Sequence, residues 1–215
     1  MEMILIESRI KTVLIIANGK SPNKQLLQSL VEESDCIIAA DGGSNICFKN
    51  NIYPDYVIGD FDSIDNMLKS HFKNSEFIYR PEQDEHDLLK ALKFCETLKP
   101  QKIIATAVFG KRIDHILSNL FILQNGNFNF QIEFVDDYTK VFIINKKKEF
   151  NLLQNHPISF LSYKPVFGVT LNGFKYNLDD KDFPNGFNGV SNEITENPAS
   201  VTIKKGIITA IVPYG

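Results

Sequence analysis

The stretch Tyr56-Val57-Ile58-Gly59-Asp60-Phe61-Asp62-Ser63-Ile64 sets a short apolar run directly against two carboxylates spaced two residues apart. Such a run, bounded by glycine, reads as a strand covered on both faces, as in parallel sheets. Side chains two apart on an extended chain point the same way, so at the strand end Asp60 and Asp62 can reach one cation. Hard divalent ions such as Mg²⁺ take oxygen ligands of this kind and share them with phosphates. An isolated D-x-D is also compatible with a loop whose acids face water. What strengthens the metal reading is that other acid-rich and Gly-rich segments also fall at predicted strand ends.

On either side of this stretch, strand and helix signals alternate. Val13 to Ala17, Cys36 to Ala40, Glu76 to Tyr79, Lys102 to Ala107 and Gln131 to Val135 read as strands. Ser21-Pro22 opens a helical segment with Leu26, Leu27, Leu30 and Val31 on one side. Asp84 to Leu98 carries an apolar stripe at Leu88, Ala91, Leu92, Cys95 and Leu98, and a last helix uses Ile113, Ile116, Leu117, Leu120 and Leu123. Repeated strand–helix units predict an α/β fold, an open and mostly parallel sheet with flanking helices. Beyond residue 137 helical periodicity stops, and short β-rich runs alternate with Gly, Asn and Pro turns. The division is therefore 1–137 for the α/β part and 138–215 for a small all-β sandwich or barrel. Lys146-Lys147-Lys148 reads as a solvated hairpin tip, and Lys205-Gly206 as a hairpin into Ile207 to Val212.

The chain has 215 residues, enough for one large or two small domains, and its 43% hydrophobic and 23% charged residues are those of a soluble globular protein. A net charge of −3 argues against nucleic-acid binding through a broad basic field. Cys36, Cys47 and Cys95 have no C-x-x-C spacing, so neither a disulfide framework nor a zinc site is indicated and a reducing cytoplasm is expected. No signal peptide and no apolar run long enough to span a bilayer is seen, so no membrane partner is expected.

Ligands of open α/β sheets bind outside the carboxyl ends of the strands. Four segments fall there: Asp41-Gly42-Gly43, Gly59 to Ser63, Gln83-Asp84-Glu85-His86-Asp87 and Gly110-Lys111-Arg112-Ile113-Asp114. The two glycines allow close backbone approach, and Ser44 can cap the helix that follows. Asp84 and Asp87, three apart at a helix start, share a face. Acids there also stabilise the helix dipole without any ligand. Arg112 suits bidentate phosphate binding or a surface ion pair; His86 and His115 are acid–base candidates. Gly19-Lys20-Ser21 resembles the end of a P-loop, but Leu14 stands where the first glycine should be.

Taken together, Ala40-Asp41-Gly42-Gly43-Ser44-Asn45, Pro54 to Ile64, Gln83 to Leu88, Arg112-Ile113-Asp114-His115 with Asn119, and Ser191-Asn192-Glu193 resemble the thiamine pyrophosphokinase family. The resemblance implies a Rossmann-like catalytic domain followed by a β-sandwich that binds thiamine and mediates dimerisation. It implies transfer of a pyrophosphoryl group from ATP to thiamine, giving thiamine diphosphate and AMP, in a homodimer whose sites are shared between subunits. Carried over, Asp60, Asp62 and Asp87 match the Mg²⁺ region. Asp41, Gly42, Gly43, Asn45, Gln83, Asp84, Arg112 and Asp114 match nucleotide, phosphate and catalytic positions. Ser191 and Asn192 match the thiamine segment. His86 stands where the family often has Thr, and Tyr176 where it often has Trp; a tyrosine ring can still cover a heterocycle. Two other readings compete: a haloacid-dehalogenase-like phosphatase, with its nucleophile in the D-x-D, and a non-catalytic nucleotide- or thiamine-binding module.

Overall fold

Val13, Leu14, Ile15 and Ile16 are wholly shielded from solvent, as a central parallel strand requires. They form β1 (Thr12–Ile16) of a computed structural model that describes residues 10–62, 64 and 66–214. Of the expected motif residues, Ser63 lies outside the described residues. Contacts divide the chain into two compact units, Met1–Ile113 with Asn127–Gln131, and Asp114–Gly126 with Ile132–Gly215.

In the first unit α1 (Lys24–Glu32), β2 (Cys36–Ala40), α2 (Gly43–Lys49), β3 (Tyr56–Gly59), α3 (Asn66–His71), β4 (Glu76–Tyr79), α4 (Asp87–Leu98) and β5 (Lys102–Thr106) follow in order. The strands pair in parallel in the order β5-β1-β2-β3-β4. The chain builds outward from β1 to β4 and returns through α4 to place β5 on the other side of β1. This reversal makes the switch point at which such sheets open a crevice. Helix α1 begins two residues after the Ser21-Pro22 signal, because Asn23 is the cap and its Oδ1 accepts from the Leu26 N–H at 2.9 Å.

The start of β1 is fastened by Asp35, whose Oδ2 accepts the Lys11 and Thr12 N–H groups at 2.9 Å each. Those two donors, Thr12 first, hold the Asp35 carboxyl below its usual range. A depressed folded-state value stabilises the protein above the ordinary Asp value and loses that stabilisation as pH falls through the folded one. Asp35→Asn is therefore expected to lower the melting temperature at neutral pH. The gap should close in acid, below the ordinary value of about 3.9. A gap equal at both ends of the titration would reject the carboxylate's role.

The second unit contains α5 (Ile113–Asn125, apart from its first residue), most of β6 (Gln131–Val135), and β7 (Thr139–Ile144), β8 (Lys147–Phe150), β9 (Pro157–Ser162), β10 (Val166–Asn172), β11 (Leu178–Phe183), β12 (Phe187–Glu193), β13 (Ala199–Thr202) and β14 (Ile208–Pro213). Within it the strands pair antiparallel in two sets, β12-β9-β14-β7-β6 and β11-β10-β13-β8. Phe142, Phe160 and Ala210 of one set and Val169, Leu171 and Val201 of the other share one buried core, which makes the unit a sandwich. The α/β sheet with flanking helices and the β-rich unit after it are the expected fold class.

Two turn assignments change. Lys147 and Lys148 lie in β8, opposite Thr202 and Val201 of β13, while β7 pairs with β14 and β6. The passage from β7 to β8 thus crosses between sheets and is not a hairpin. The same holds for Lys205-Gly206, which carries the chain from β13 to β14 in the other set. A turn signal is local and cannot distinguish reversal within a sheet from passage to the facing one.

Candidate active site

Asp41 follows β2, and Asp60 and Asp62 follow β3, its neighbour in the sheet. Among the described residues, Asp41, Asp60 and Asp62 each offer a carboxylate oxygen, all within 4.8 Å of one another. Three hard oxygen donors at this separation fit a divalent cation such as Mg²⁺. Asp41, expected in the nucleotide region, thereby joins the D-x-D pair.

The local backbone is shaped for this convergence. Asp41 is 2% exposed, its N–H donates to the Ile58 carbonyl at 2.7 Å, and its Oδ1 accepts from the Phe61 N–H at 3.1 Å. Asp41 and Phe61 both have positive φ, 39° and 64°. Left-handed backbone at non-glycine residues costs on the order of 1 kcal/mol or more and tends to gather at functional sites. Gly59 lets the two loops meet, since a Cβ there would lie 2.7 Å from Asp41 Cβ and 2.8 Å from its Oδ1.

Asp60 is held as an anion. Its Oδ1 accepts the Asp62 N–H at 3.2 Å and its Oδ2 accepts Gln83 Nε2 at 3.0 Å. These bonds, the backbone one foremost, keep its carboxyl below the usual range. Gln83, expected at the nucleotide, thus has a definite task in orienting Asp60. Asp87 opens α4, half-buried, with its Oδ1 at 3.4 Å from Lys90 Nζ. Burial raises its carboxyl above the usual range, and the charges of Asp60 and Asp62 push the same way.

Lys90 was missed by the sequence reading. It is 3% exposed, and its charge helps to keep Asp60 ionised. The available signal was its place three residues after Asp87, on the buried side of the helix.

Several expectations need correction. Helix α4 starts at Asp87, so Asp84 stands in the preceding turn and the two do not share a helix face. His86 is the residue before the helix, with no side-chain capping bond. Nor does Ser44 cap α2: the cap position is Gly42, and Ser44 lies inside the helix with its buried hydroxyl lacking a hydrogen-bond partner. The glycines have packing reasons of their own. A Cβ on Gly43 would come within 2.0 Å of the Ile16 carbonyl oxygen, and one on Gly42 within 2.2 Å of the Asn18 amide. Asn45 is part-buried, with Nδ2 at 3.4 Å from the Gly42 carbonyl. Arg112 is exposed just before α5, and Asp114 and His115 are exposed in its first turn.

In the second unit, Tyr176 sits in the turn between β10 and β11 and is 59% exposed. Its backbone N–H donates to Asn192 Oδ1 at 3.0 Å, and its carbonyl accepts Asn192 Nδ2 at 3.0 Å. Ser191 is exposed, has φ of 59°, and lies where the β12–β9 register shifts between Gly189 and Asn192. Its N–H donates to Ser159 Oγ at 3.1 Å. Bulges of this kind re-aim side chains and recur beside functional sites.

Residues 27–134 match the family description "Thiamin pyrophosphokinase, catalytic domain", and residues 142–208 match "Thiamin pyrophosphokinase, vitamin B1 binding domain". Thiamin pyrophosphokinase 1 of Caenorhabditis elegans is 27% identical over 153 residues, which is 66% of this chain and 59% of that protein. The crystal structure of thiamine pyrophosphokinase from Bacillus subtilis superposes with a TM-score of 0.81 at 26% identity, covering 94% of this chain and 99% of that one. The enzyme from Candida albicans, at 19% identity, shares the fold with a TM-score of 0.82 over 95% of this chain and 90% of its own. None of the described helices is long and apolar enough to cross a membrane. With a catalytic-domain match over half its length and a vitamin B1 binding-domain match after it, the chain belongs to the thiamin pyrophosphokinase family.

Proposed function

We propose that this chain transfers a pyrophosphoryl group from ATP to the hydroxyl of thiamine, giving thiamine diphosphate and AMP. The observation that carries this reading is the convergence of Asp41, Asp60 and Asp62 at the ends of neighbouring parallel strands, inside the segment matched to the family's catalytic domain. Phosphoryl chemistry asks for charge neutralisation and in-line positioning more than for covalent help.

Asp60, Asp62 and Asp87, with Asp41 beside them, would hold Mg²⁺, which when bound neutralises charge on the phosphate oxygens. Gln83 keeps Asp60 turned toward the cluster, and Lys90 balances part of its negative charge. Gly42, Gly43 and Asn45 border the nucleotide. Arg112 offers a planar cationic fork for a phosphate. Asp84 and Asp114 are the candidates for receiving the thiamine hydroxyl proton. Tyr176, Ser191 and Asn192 form the thiamine segment, where an exposed ring can cover the heterocycle. The assigned roles divide as 1–137 for catalysis and 138–215 for thiamine binding and dimerisation, in a cytoplasmic enzyme without nucleic-acid or membrane partners.

AMP release from ATP, followed with and without thiamine, tests the reading. Thiamine-dependent AMP is expected. Inorganic phosphate without AMP would favour the phosphatase, and turnover of neither kind would favour a binding module.

The proposed enzyme is a homodimer with each site completed by both subunits, because the carboxylates and the thiamine segment lie in different units. Mixing an Asp62→Asn protein with a Tyr176→Ala protein, at thiamine far below the KM of the Tyr176→Ala protein, should then give more activity than the two unmixed proteins together, since one hybrid site is intact. No recovery after verified subunit exchange would place each site within one chain.

A further inference from the structure

Asn192 is a polar residue at 3% exposure, next to an exposed Ser191. Its amide is already committed to neighbouring backbone. Oδ1 accepts the Tyr176 N–H at 3.0 Å and the Glu193 N–H at 2.9 Å, while Nδ2 donates to the Tyr176 carbonyl at 3.0 Å. The amide therefore meets the Tyr176 backbone through both its donor and its acceptor. The rest of the turn is held as well: the Lys175 N–H donates to the Glu193 carbonyl of the same strand at 2.9 Å, and within the turn the Phe174 N–H donates to Asn177 Oδ1 at 3.0 Å. Phe174 is 1% exposed and anchors the turn in the sandwich core. An exposed aromatic ring thus stands on backbone that is held in place, the arrangement that lowers the ordering cost of binding.

We propose that Asn192 is a positioning residue, whose amide holds the Tyr176 backbone and which acts on thiamine only through the Tyr176 ring. The inference rests on the thiamine reading given above. It separates two adjacent residues of one segment: Ser191 faces outward, free to meet a ligand, and Asn192 faces inward, spent on the turn. Strand alternation and the bulge at Ser191 account for the opposite directions.

The chain contains no tryptophan, so Tyr176→Trp introduces a single tryptophan, excited selectively beside the tyrosines, at the position in question. In that background Asn192→Ala should raise acrylamide quenching about twofold and lower the emission anisotropy, because two hydrogen bonds to the turn are lost. Asn192→Asp keeps the acceptor and loses the donor, so it should fall between, and it serves if the alanine variant does not fold. Unchanged quenching and anisotropy in the folded variants would overturn the clamp.

The functional arm is a double-mutant cycle on thiamine KM. Asn192→Ala should raise that KM about fivefold with kcat nearly constant, as for a contact made equally in ground and transition states. Added to Tyr176→Ala, it should raise KM no further. Additive effects would mean that Asn192 touches thiamine directly and would overturn the proposal. A thiamine KM unmoved by Tyr176→Ala alone would reject the ring's substrate role, and the quenching result would still judge the clamp separately.

Discussion

Asp62→Asn should lower turnover by at least about a hundredfold at saturating ATP, thiamine and Mg²⁺, the size of loss seen when a main electrostatic contribution is removed. Asp62 is exposed, and its carboxylate reaches within 4.8 Å of those of Asp41 and Asp60. Replacing an exposed carboxylate by its amide leaves shape and packing intact, so the melting temperature should stay within the small range of surface substitutions. The effect should appear in kcat. Raising Mg²⁺ should not restore it, because the amide removes a negative charge from the cluster and a neutral oxygen cannot replace it. Near-normal turnover would remove Asp62 from the site. Loss of activity together with loss of the folded state would assign it a structural part instead.

Gly43→Ala should destabilise the protein by about 3 kcal/mol, the upper part of the range for overpacking. Gly43 is the first residue of α2, and helix propensity alone would make alanine better there by about 1 kcal/mol. The contact decides the sign. An added Cβ would stand 2.0 Å from the Ile16 carbonyl oxygen and 2.8 Å from its carbon, both backbone atoms of β1. Neither can swing aside as a side chain would, so α2 must lift from the sheet. Gly110→Ala is the matched control, since its Cβ would meet its nearest neighbour at 3.4 Å, an ordinary contact. Equal melting temperatures for the two variants would show that β1 and α2 can part without cost, and would return Gly43 to a purely ligand-facing role.

That substitution illustrates what a motif hides. Asp41-Gly42-Gly43 suggested glycines kept small for a ligand, and both Gly42 and Gly43 prove to be close-packed against Asn18 and β1. The two explanations are compatible, but only the distances reveal the second.

The amino-acid sequence by itself determined the alternation of apolar strand runs and amphipathic helices, the acids at the strand ends, and the change to β-rich chain near residue 138. These are legible because periodicity, glycine and acid placement are local properties of the chain. Strand β11 is not legible in this way: Leu178-Asp179-Asp180-Lys181-Asp182-Phe183 is an exposed edge strand, where backbone pairing needs no apolar alternation. Tertiary structure alone decided that Asp41, nineteen residues before Asp60, reaches the same point as Asp60 and Asp62, because β2 and β3 are neighbours in the sheet. It also decided that buried Lys90 stands against Asp87 and that the Asn192 amide closes on Tyr176. Each of these depends on which segments become neighbours across the fold. Hydrogen-bond and ion-pair partners are chosen by ångström separations that spacing along a chain does not encode.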